Sequence, residues 1–238
     1  MDNMLNRTPK VHIVYCHPSE KSITNTIKQG YIDGLEEINI PYTITDLYGS
    51  NFNSDITEEE YLRENNNIPF PLAEDVIIEQ EKINNADILT FIFPLFWMDA
   101  PSKLVGYFAR VFTKGFKYDY DDCKSVSMNT MIHTNFLISA GSNYDDLEKD
   151  GKVNALETIF ISIPTVIECS LAILSTLAGI IQTPMADIIS ISVGIIHSLC
   201  FKRLILQSYV PTTSSCILAR NASVDIVASS LYLAFSSV

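Results

Sequence analysis

Polar side chains suited to holding a phosphate gather just before the first predicted helix. The segment HPSEKSITN supplies His17, Ser19, Ser22 and Thr24. Free N–H groups at a helix N-terminus, with hydroxyl groups beside them, favour an anionic phosphate. The alternative is structural, because a serine here also caps a helix and a histidine in a turn often makes local hydrogen bonds. The residues by themselves leave both interpretations open.

A second segment, FIFPLFWMDAP at residues 91–101, contains the single tryptophan of the chain. Pro94 has no N–H to donate, so we expect it to end a strand. The backbone that follows, at Leu95, Phe96 and Trp97, is then unpaired by the sheet and free to face a flat ring with polar edges. The alternative is that Trp97 fills core space beneath a loop.

A third segment, SAGSNYDD, begins at Ser139 and is rich in small residues. Glycine at position 141 lets the backbone approach a ligand closely, and Tyr144 has a hydroxyl that can donate to a ligand oxygen. Taken in isolation, the segment is typical of an ordinary surface turn.

Alternating strand and helix patterns position these three segments. Apolar and β-branched runs predict strands over 11–15, 42–48, 87–93 and 130–139. Helical periodicity covers 22–37, 72–86 and 101–115, and Gly115 is the predicted stop of the last of these. A short helix begun by Thr57 and Glu60 is expected within the polar loop 51–71. The apolar faces of the first and third helices consist of Ile23, Ile27, Tyr31 and Leu35, and of Leu104, Phe108, Val111 and Phe112.

This alternation predicts an α/β fold with a parallel sheet, because parallel neighbours require crossover connections. Ligands bind such sheets beyond the carboxyl ends of the strands. The segments 17–24, 94–101 and 139–144 all leave those ends. We therefore expect them to converge, although more than 100 residues separate the first from the last.

Composition narrows the class of protein. The net charge of −12 over 238 residues argues against a nucleic-acid backbone as the main partner. The five cysteines are scattered without CxxC or CxxH spacing, so no zinc site or disulfide framework is indicated. Without a secretory signal pattern, we expect a cytoplasmic protein. The whole net charge lies in residues 1–150, which places a composition boundary near 150–162.

Several motifs occur together in order and spacing over about residues 10–160. They are VYCHPSEKSITNTI, DLYGSNFN, LISAGSNY and the long run EQEKINNADILTFIFPLFWMDAPSKLVGYFARVFTKGFKYDY. In combination they resemble the flavodoxin-like NAD(P)H:quinone oxidoreductase family. The resemblance implies an α/β fold with a doubly wound parallel sheet in the order 2-1-3-4, the fifth strand being undecided. It also implies a homodimeric flavoenzyme that passes hydride from NAD(P)H through the flavin, FAD rather than FMN, to a quinone-like molecule.

The resemblance assigns roles to residues of all three segments. The implied flavin-binding residues are His17, Ser22, Ile23, Thr24, Pro94, Leu95, Phe96, Trp97, Ser139, Ala140, Gly141 and Tyr144. The implied substrate pocket consists of Met98, Phe116, Tyr118 and Tyr120. The implied catalytic residues are Tyr144 and Asp150, and Asp150 stands about where animal members carry the histidine that partners the tyrosine.

Three positions depart from the family pattern. Thr24 replaces a frequent asparagine and Phe96 a frequent glutamine, which changes the shape of the pocket. Asp150 cannot act as an imidazolium near neutral pH without a large pKa shift. The sequence therefore lacks the histidine of a tyrosine–histidine relay at this position.

Residues 162–238 show no resemblance and form an apolar, predicted helical extension to the flavin-binding domain of residues 1–161. One interpretation is a membrane association through 159–206, with Ile159–Ile181 long enough to span but interrupted by Glu168. Others are a buried helical replacement for the last strand–helix unit and a tail that is not a native continuation. The corresponding alternatives for function are a non-catalytic flavin-binding subunit of a membrane partner and an incomplete product.

Overall fold

The computed structural model describes residues 8–66, 68–117, 133–162 and 168–175. The chain divides into two compact units, Met1–Lys28 with Ile40–Ile181, and Gln29–Asn39 with Gln182–Val238. The sheet lies in the first unit. The described residues of the second unit are Gln29–Asn39, and Tyr31 and Leu35 are buried there as their periodicity predicts.

Five parallel strands form one sheet in the order β2-β1-β3-β4-β5. The strands are β1 (Val11–Tyr15), β2 (Tyr42–Asp46), β3 (Ile88–Pro94), β4 (His133–Ala140) and β5 (Glu168–Ser175). Every residue of β3 and β4 is buried, as expected for central strands covered on both faces. The predicted doubly wound sheet with the order 2-1-3-4 is confirmed, and a fifth strand extends it.

Six helices occur among the described residues between the strands. They are α1 (Ile23–Glu37), α2 (Glu58–Asn66), α3 (Glu74–Asn84), α4 (Ser102–Val111), α5 (Tyr144–Lys149) and α6 (Lys152–Ser162). An aromatic cluster packs α4 and α6 on one face of the sheet. Within it Phe91 stacks on Phe136 at 5.2 Å between ring centroids, and Phe160 lies 5.3 Å from Phe93.

The predicted start of α2 is confirmed by a capping box. The Thr57 N–H donates to Oε2 of Glu60 (2.8 Å), and the Glu60 N–H donates to Oγ1 of Thr57 (3.2 Å). Glu60 also pairs through Oε1 with Nη2 of Arg110 at 2.7 Å, and Asp75 pairs with Nη1 of the same guanidinium at 2.6 Å. One buried arginine of α4 therefore joins α2 and α3.

Helix α4 ends earlier than predicted. It stops at Val111, and Gly115 lies beyond it in a turn at φ +81° rather than at the helix end. The Nε2 of Gln80 donates to the carbonyl of Val111 (2.9 Å) and to Oγ1 of Thr113 (3.0 Å). This side chain from α3 satisfies a last-turn carbonyl, so the helix ends without a glycine cap.

The segment after β4 is not wholly a loop, contrary to its sequence interpretation. Oδ1 of Asn143 accepts a hydrogen bond from the N–H of Asp145 at 3.1 Å, which caps α5. An asparagine followed by acidic residues is a helix-start signal, so the sequence contained the information.

The fifth strand lies within the segment predicted to be a helical extension. Its parallel pairing runs from His133↔Glu168 to Ala140↔Ser175, so the sheet continues past residue 161. The stretch 159–181 therefore contains the end of α6 and a strand rather than one spanning helix. Within the described ranges, no helix is both long and apolar enough to cross a membrane. Residues 176–238 lie outside the described residues, so the two-domain division stays a prediction.

One face of α4 contacts the backbone that follows β2. Nζ of Lys103 donates to the carbonyl of Phe52 (2.6 Å), and Nη1 of Arg110 donates to that of Asn53 (2.7 Å). Between them, a Cβ added at Gly106 would stand 2.1 Å from the carbonyl oxygen of Ser54. The absence of a side chain at position 106 therefore allows helix and loop to touch.

We predict that Gly106→Ala destabilises the protein by about 1–3 kcal/mol, because overpacking forces the backbone apart. Helix propensity alone would give the opposite sign, a gain of about 1 kcal/mol. Urea denaturation measures the difference, with exposed Val105→Ala on the same helix as the control. An equal or greater stability of the Gly106 variant would contradict the contact.

A buried carboxylate, that of Glu79 on α3, contacts side chains of β1, β2 and α4. Glu79 accepts hydrogen bonds from Thr45 Oγ1 (2.9 Å), Lys82 Nζ (2.6 Å) and the Tyr107 hydroxyl (3.1 Å), and His12 Nε2 lies 3.7 Å away. Burial by itself would raise the pKa of Glu79. The contacts with His12, Lys82 and Thr45 outweigh it and lower the pKa from 4.5 to about 2.

We predict that ionised Glu79 contributes on the order of 3 kcal/mol above pH 4.5, and that this contribution is lost as the pH falls toward 2. The free energy of unfolding of Glu79→Gln should therefore differ most from wild type above pH 4.5 and converge with it near pH 2. Exposed Glu81→Gln on the same helix is the matched control. A difference that is constant with pH would show that the shift is absent.

Candidate active site

Three loops meet at the carboxyl edge of the sheet because their strands are neighbours. β1 pairs with β3 up to Tyr15↔Ile92, and β3 pairs with β4 up to Pro94↔Ser139. The loops that follow these strands begin at His17, Leu95 and Gly141. The strand order reverses between β1 and β3, which is where ligands bind in sheets of this topology.

Ser139 joins the three loops through two hydrogen bonds. Its Oγ lies 2.8 Å from Oγ1 of Thr24, and its carbonyl accepts the N–H of Leu95 at 2.8 Å. Thr24 and Ser139 are 115 residues apart in the sequence. The predicted convergence of the three segments is therefore confirmed.

The first loop is built around the cap of α1. Oγ of Ser22 accepts the N–H of Asn25 (3.1 Å) and donates to the carbonyl of Ser19 (3.0 Å), so this serine does cap the helix. Nδ1 of His17 lies 3.0 Å from the N and 2.9 Å from the O of Ser19, as in a local turn. The N–H groups of Ile23 and Thr24 donate to no acceptor among the described residues, which leaves two donors at the start of α1.

The second loop differs from its sequence interpretation. Pro94 is the last residue of β3, but the Leu95 N–H continues the ladder to Ser139 and the Phe96 N–H donates to the carbonyl of Asp99 (2.9 Å). Two of the three expected free backbone groups are therefore paired. A short turn that returns the chain on itself satisfies the Phe96 donor.

Trp97 and Met98 form the tip of that turn. Both have positive φ values, +56° and +65°, and their N–H groups are unpaired within the described part of the chain. Consecutive residues with φ > 0 define a type I′ turn, in which Asn-Gly is favoured and bulky side chains are strained. Strain of this kind is concentrated at functional sites.

The Trp97 side chain is 100% exposed, so it does not fill core space. Phe96 and Met98 beside it are also partly exposed, at 43% and 36%. A row of three apolar side chains in solvent is costly for a monomer unless a ligand or partner covers it.

The third loop begins at buried residues and then passes into open space. Ser139 and Ala140 are buried, whereas a Cβ added at Gly141 would meet nothing within 4 Å. Tyr144, 37% exposed, is the first residue of α5. Burial raises the pKa of its hydroxyl, as do the charges of Glu148, Glu157 and Asp145. The phenol is therefore a proton donor near neutral pH.

Asp150 does not join this group. Its carboxylate pairs with Nζ of Lys152 at 2.6 Å, and both side chains are about half exposed. It lies at the opposite end of α5 from Tyr144, roughly 9 Å along the helix axis. The described contacts give Asp150 no part in a relay with the tyrosine.

The predicted substrate pocket is described only in part. Met98 stands at the tip of the turn, and Phe116 is half-buried against the core cluster. Tyr118 and Tyr120 lie outside the described residues, so their roles stay predictions.

Cys16, the residue between the end of β1 and His17, is a buried thiol. Burial chiefly raises its pKa to about 12, so it is neutral at physiological pH and not a nucleophile. Its side chain belongs to the hydrophobic core.

A shallow groove lies at the amino ends of β1 and β2, between β2 and α3. Lys10, Tyr42, Thr43, Ile78 and Lys82 are among its lining residues. None of the residues predicted for a site lines it, and it is far from the topological switch point. The carboxyl edge is therefore the better candidate.

Sequence reasoning named Thr24 and Ser139 but missed that they bond to each other and that Ser139 joins all three loops. No local signal marks such a bond, because it depends on how the start of α1 lies against the end of β4. It also missed the type I′ turn, since Trp-Met lacks the usual turn residues.

Comparison with known proteins agrees with this geometry. The family model of the flavodoxin-like fold matches residues 9–159. An uncharacterized NAD(P)H oxidoreductase of Haemophilus influenzae is 32% identical over 155 residues, which cover 63% of this chain and 73% of that protein. The structure of an NAD(P)H:quinone oxidoreductase from Methanothermobacter marburgensis superposes with a TM-score of 0.72 at 32% identity, covering 80% of this chain and 98% of that one.

A mammalian relative matches over a smaller region. NAD(P)H dehydrogenase [quinone] 1 of Cavia porcellus is 31% identical over 122 residues, covering 45% of this chain and 44% of that protein. The chain thus spans less than half the length of this relative. From the sheet order, the convergent loops and these matches, the chain belongs to the flavodoxin-like family of quinone reductase type.

Proposed function

We propose that the protein is a flavin-dependent NAD(P)H oxidoreductase that reduces quinones or similar acceptors by two electrons. The observation that carries the proposal is the junction of three loops through Ser139 at the β1/β3 switch point. The names of the relatives support the same chemistry. The proposal extends them to this chain because the matched region contains all three loops.

The start of α1 fits the phosphate-bearing side chain of a flavin. The N–H groups of Ile23 and Thr24 have no protein acceptor among the described residues, and the positive end of the helix dipole favours an anion there. The Ser22 hydroxyl already caps α1. Its proposed role is therefore to hold the loop after β1 in shape rather than to bind the phosphate itself.

The second and third loops fit the ring. The free N–H groups of Trp97 and Met98 offer donors to polar ring edges, while Leu95 and Phe96 hold the turn in place. The open space at Gly141 lets the backbone of the third loop approach a planar group. A bound ring would also cover the exposed apolar side chains of the turn and remove them from water.

Tyr144 is the proposed proton donor of the site. Its raised pKa keeps the hydroxyl protonated near neutral pH, so it can donate to an oxygen of the ring or of the acceptor. The flavin, when bound, supplies the hydride-transfer chemistry. The chain supplies orientation, an apolar wall and hydrogen-bond donors, and Asp150 takes no part.

Two finer proposals rest on the family resemblance: the flavin is FAD and the protein is a homodimer. A third, that the protein acts in the cytoplasm, rests on the scattered cysteines of the sequence. Chromatography of the flavin released on denaturation distinguishes FAD from FMN, and light scattering measures the mass in solution.

Flavin loading and reduction test the proposed function. The purified chain incubated with FAD or FMN should retain a chromophore absorbing near about 450 nm. Anaerobic NADH or NADPH should bleach it, and a quinone should restore it. A folded protein that retains no flavin would refute the proposal, and a bound flavin that stays oxidised would favour a non-catalytic flavin-binding subunit.

We predict that Trp97→Ala weakens flavin retention or acceptor turnover more than Trp97→Phe does. The phenylalanine keeps an aromatic face at the tip of the turn, and stacking on an aromatic pair contributes about 0.5–1.5 kcal/mol, or about two- to tenfold in affinity. Titration of bound flavin and steady-state turnover measure both variants. Exposed Tyr61→Ala, on α2, is the control for loss of a surface aromatic group. Equal behaviour of the two Trp97 variants would show that the aromatic face has no role.

A further inference from the structure

Asp99 closes the turn that carries Trp97 and Met98. Its N–H donates to the carbonyl of Phe96 at 3.1 Å, and its own carbonyl accepts the Phe96 N–H at 2.9 Å. The side chain is held as well, because Oδ1 accepts the N–H of Ala100 at 2.7 Å. The carboxylate of Asp99 therefore has a defined place at the base of the turn.

No cation within the described ranges neutralises this carboxylate. Asp99 is exposed, and it takes part in none of the ion pairs between described residues. The cation nearest to it along the chain is Lys103. Nζ of Lys103 donates to the carbonyl of Phe52 at 2.6 Å and lies 5.4 Å from the ring centroid of Tyr48, so it is engaged by the loop after β2. Because an exposed carboxylate is ionised near neutral pH, the turn bears a negative charge.

The second and third loops of the candidate site supply acidic residues and no basic ones. Over residues 94–101 and 139–148 the charged residues are Asp99, Asp145, Asp146 and Glu148. Burial raises the pKa of the Tyr144 hydroxyl, and nearby carboxylates of α5 and α6 raise it further. Negative charge therefore acts on the third loop as well, and neither loop offers a positive side chain to balance it.

The Asp99 carboxylate is close to the backbone donors that we propose face the flavin ring. Met98 directly precedes it, and standard bond lengths keep the carboxylate within about 8 Å of the Met98 nitrogen. That separation is about the Debye length at physiological ionic strength, so salt screens the charge only in part. A ring held by this turn would lie within reach of an unpaired negative charge.

We propose that Asp99 lowers the reduction potential of the bound flavin and directs the protein toward neutral rather than anionic acceptors. This inference rests on the proposed function, in which the turn lines the ring. NAD(P)H supplies a hydride and water supplies one proton, so a quinone leaves as the hydroquinone. A fixed negative charge disfavours the added electron density on the ring, which makes the reduced ring a stronger reductant. The same charge repels an acceptor that is itself anionic.

Two substitutions separate the charge of Asp99 from its hydrogen bond. Asp99→Asn keeps an oxygen for the Ala100 N–H but removes the charge, whereas Asp99→Glu keeps the charge. We expect Asp99→Asn to shift the redox equilibrium of the bound flavin about tenfold toward the reduced form, which is about 30 mV for two electrons. Asp99→Glu should stay near the wild-type potential. Equilibration with a redox dye measures the potential, and added salt should shrink the shift.

The charge of the acceptor gives a second measurement. Values of kcat/KM are compared for benzoquinone, which is neutral, and for a naphthoquinone sulfonate, which is anionic. Asp99→Asn should favour the sulfonate relative to benzoquinone by about threefold to tenfold over wild type. Asp99→Glu should leave the ratio of the two acceptors unchanged.

Glu81→Gln is the matched control, because it removes an exposed carboxylate at the groove beside the amino ends of the strands. We expect it to change neither the potential nor the acceptor ratio. Thermal unfolding of each variant checks folding. If Asp99→Asn is unstable, Asp99→Ser replaces it, since serine also offers an oxygen to the Ala100 N–H without a charge.

The outcomes separate this inference from the proposed function. A wild type that binds flavin and accepts hydride, with Asp99→Asn unchanged in potential or in acceptor ratio, overturns the role of Asp99 alone. A shift in Asp99→Glu as large as that in Asp99→Asn would assign the effect to geometry rather than charge and overturn it too. A wild type that retains no flavin overturns the proposed function and this inference with it.

Discussion

The candidate site depends on one residue at the end of a central strand. Ser139 accepts the Leu95 N–H through its carbonyl and contacts the Thr24 hydroxyl through its side chain. These two bonds fix the loops after β1, β3 and β4 relative to one another. Because β4 is buried along its whole length, the atoms of Ser139 are placed by the rigid part of the sheet. A site built on such a residue needs little rearrangement to receive a ligand.

Behind this edge, helix α4 fixes the turn that carries Trp97. Pro101 is the N-cap of the helix, and Lys103 and Arg110 anchor the helix to the backbone of the loop after β2. Arg110 has two carboxylate partners, and Glu60 and Asp75 both have lowered pKa values. Hydrogen bonds from its guanidinium lower the pKa of Asp75, and for Glu60 they outweigh the opposing effect of burial. These contacts fix the position of the helix that follows the turn of Trp97 and Met98.

The strained turn presents hydrogen-bond donors and an aromatic side chain at the edge of the sheet. Two bulky residues with positive φ place their N–H groups and a fully exposed indole at the edge of the sheet. A turn with Asn-Gly would be more favourable but would present no aromatic surface. The preference for a costly conformation at this place agrees with a ligand that uses both the backbone donors and the aromatic face.

The sequence by itself determined the alternation of strands and helices and the capping box at Thr57 and Glu60. Each of these depends on residues within a few positions of one another. It also determined that the three loops converge, because parallel order follows from crossover connections.

Only the tertiary structure decided how the groups at that edge are used. The partner of Leu95, the bond from Thr24 to Ser139, the pairing of Asp150 with Lys152 away from Tyr144, and the strand in place of a helix after residue 167 were not predictable from sequence. The partner of Leu95 and the fifth strand depend on the register between strands distant in sequence, and the bond from Thr24 to Ser139 depends on how α1 lies against the end of β4. The Asp150 pair depends on how an exposed side chain turns, which no local pattern specifies.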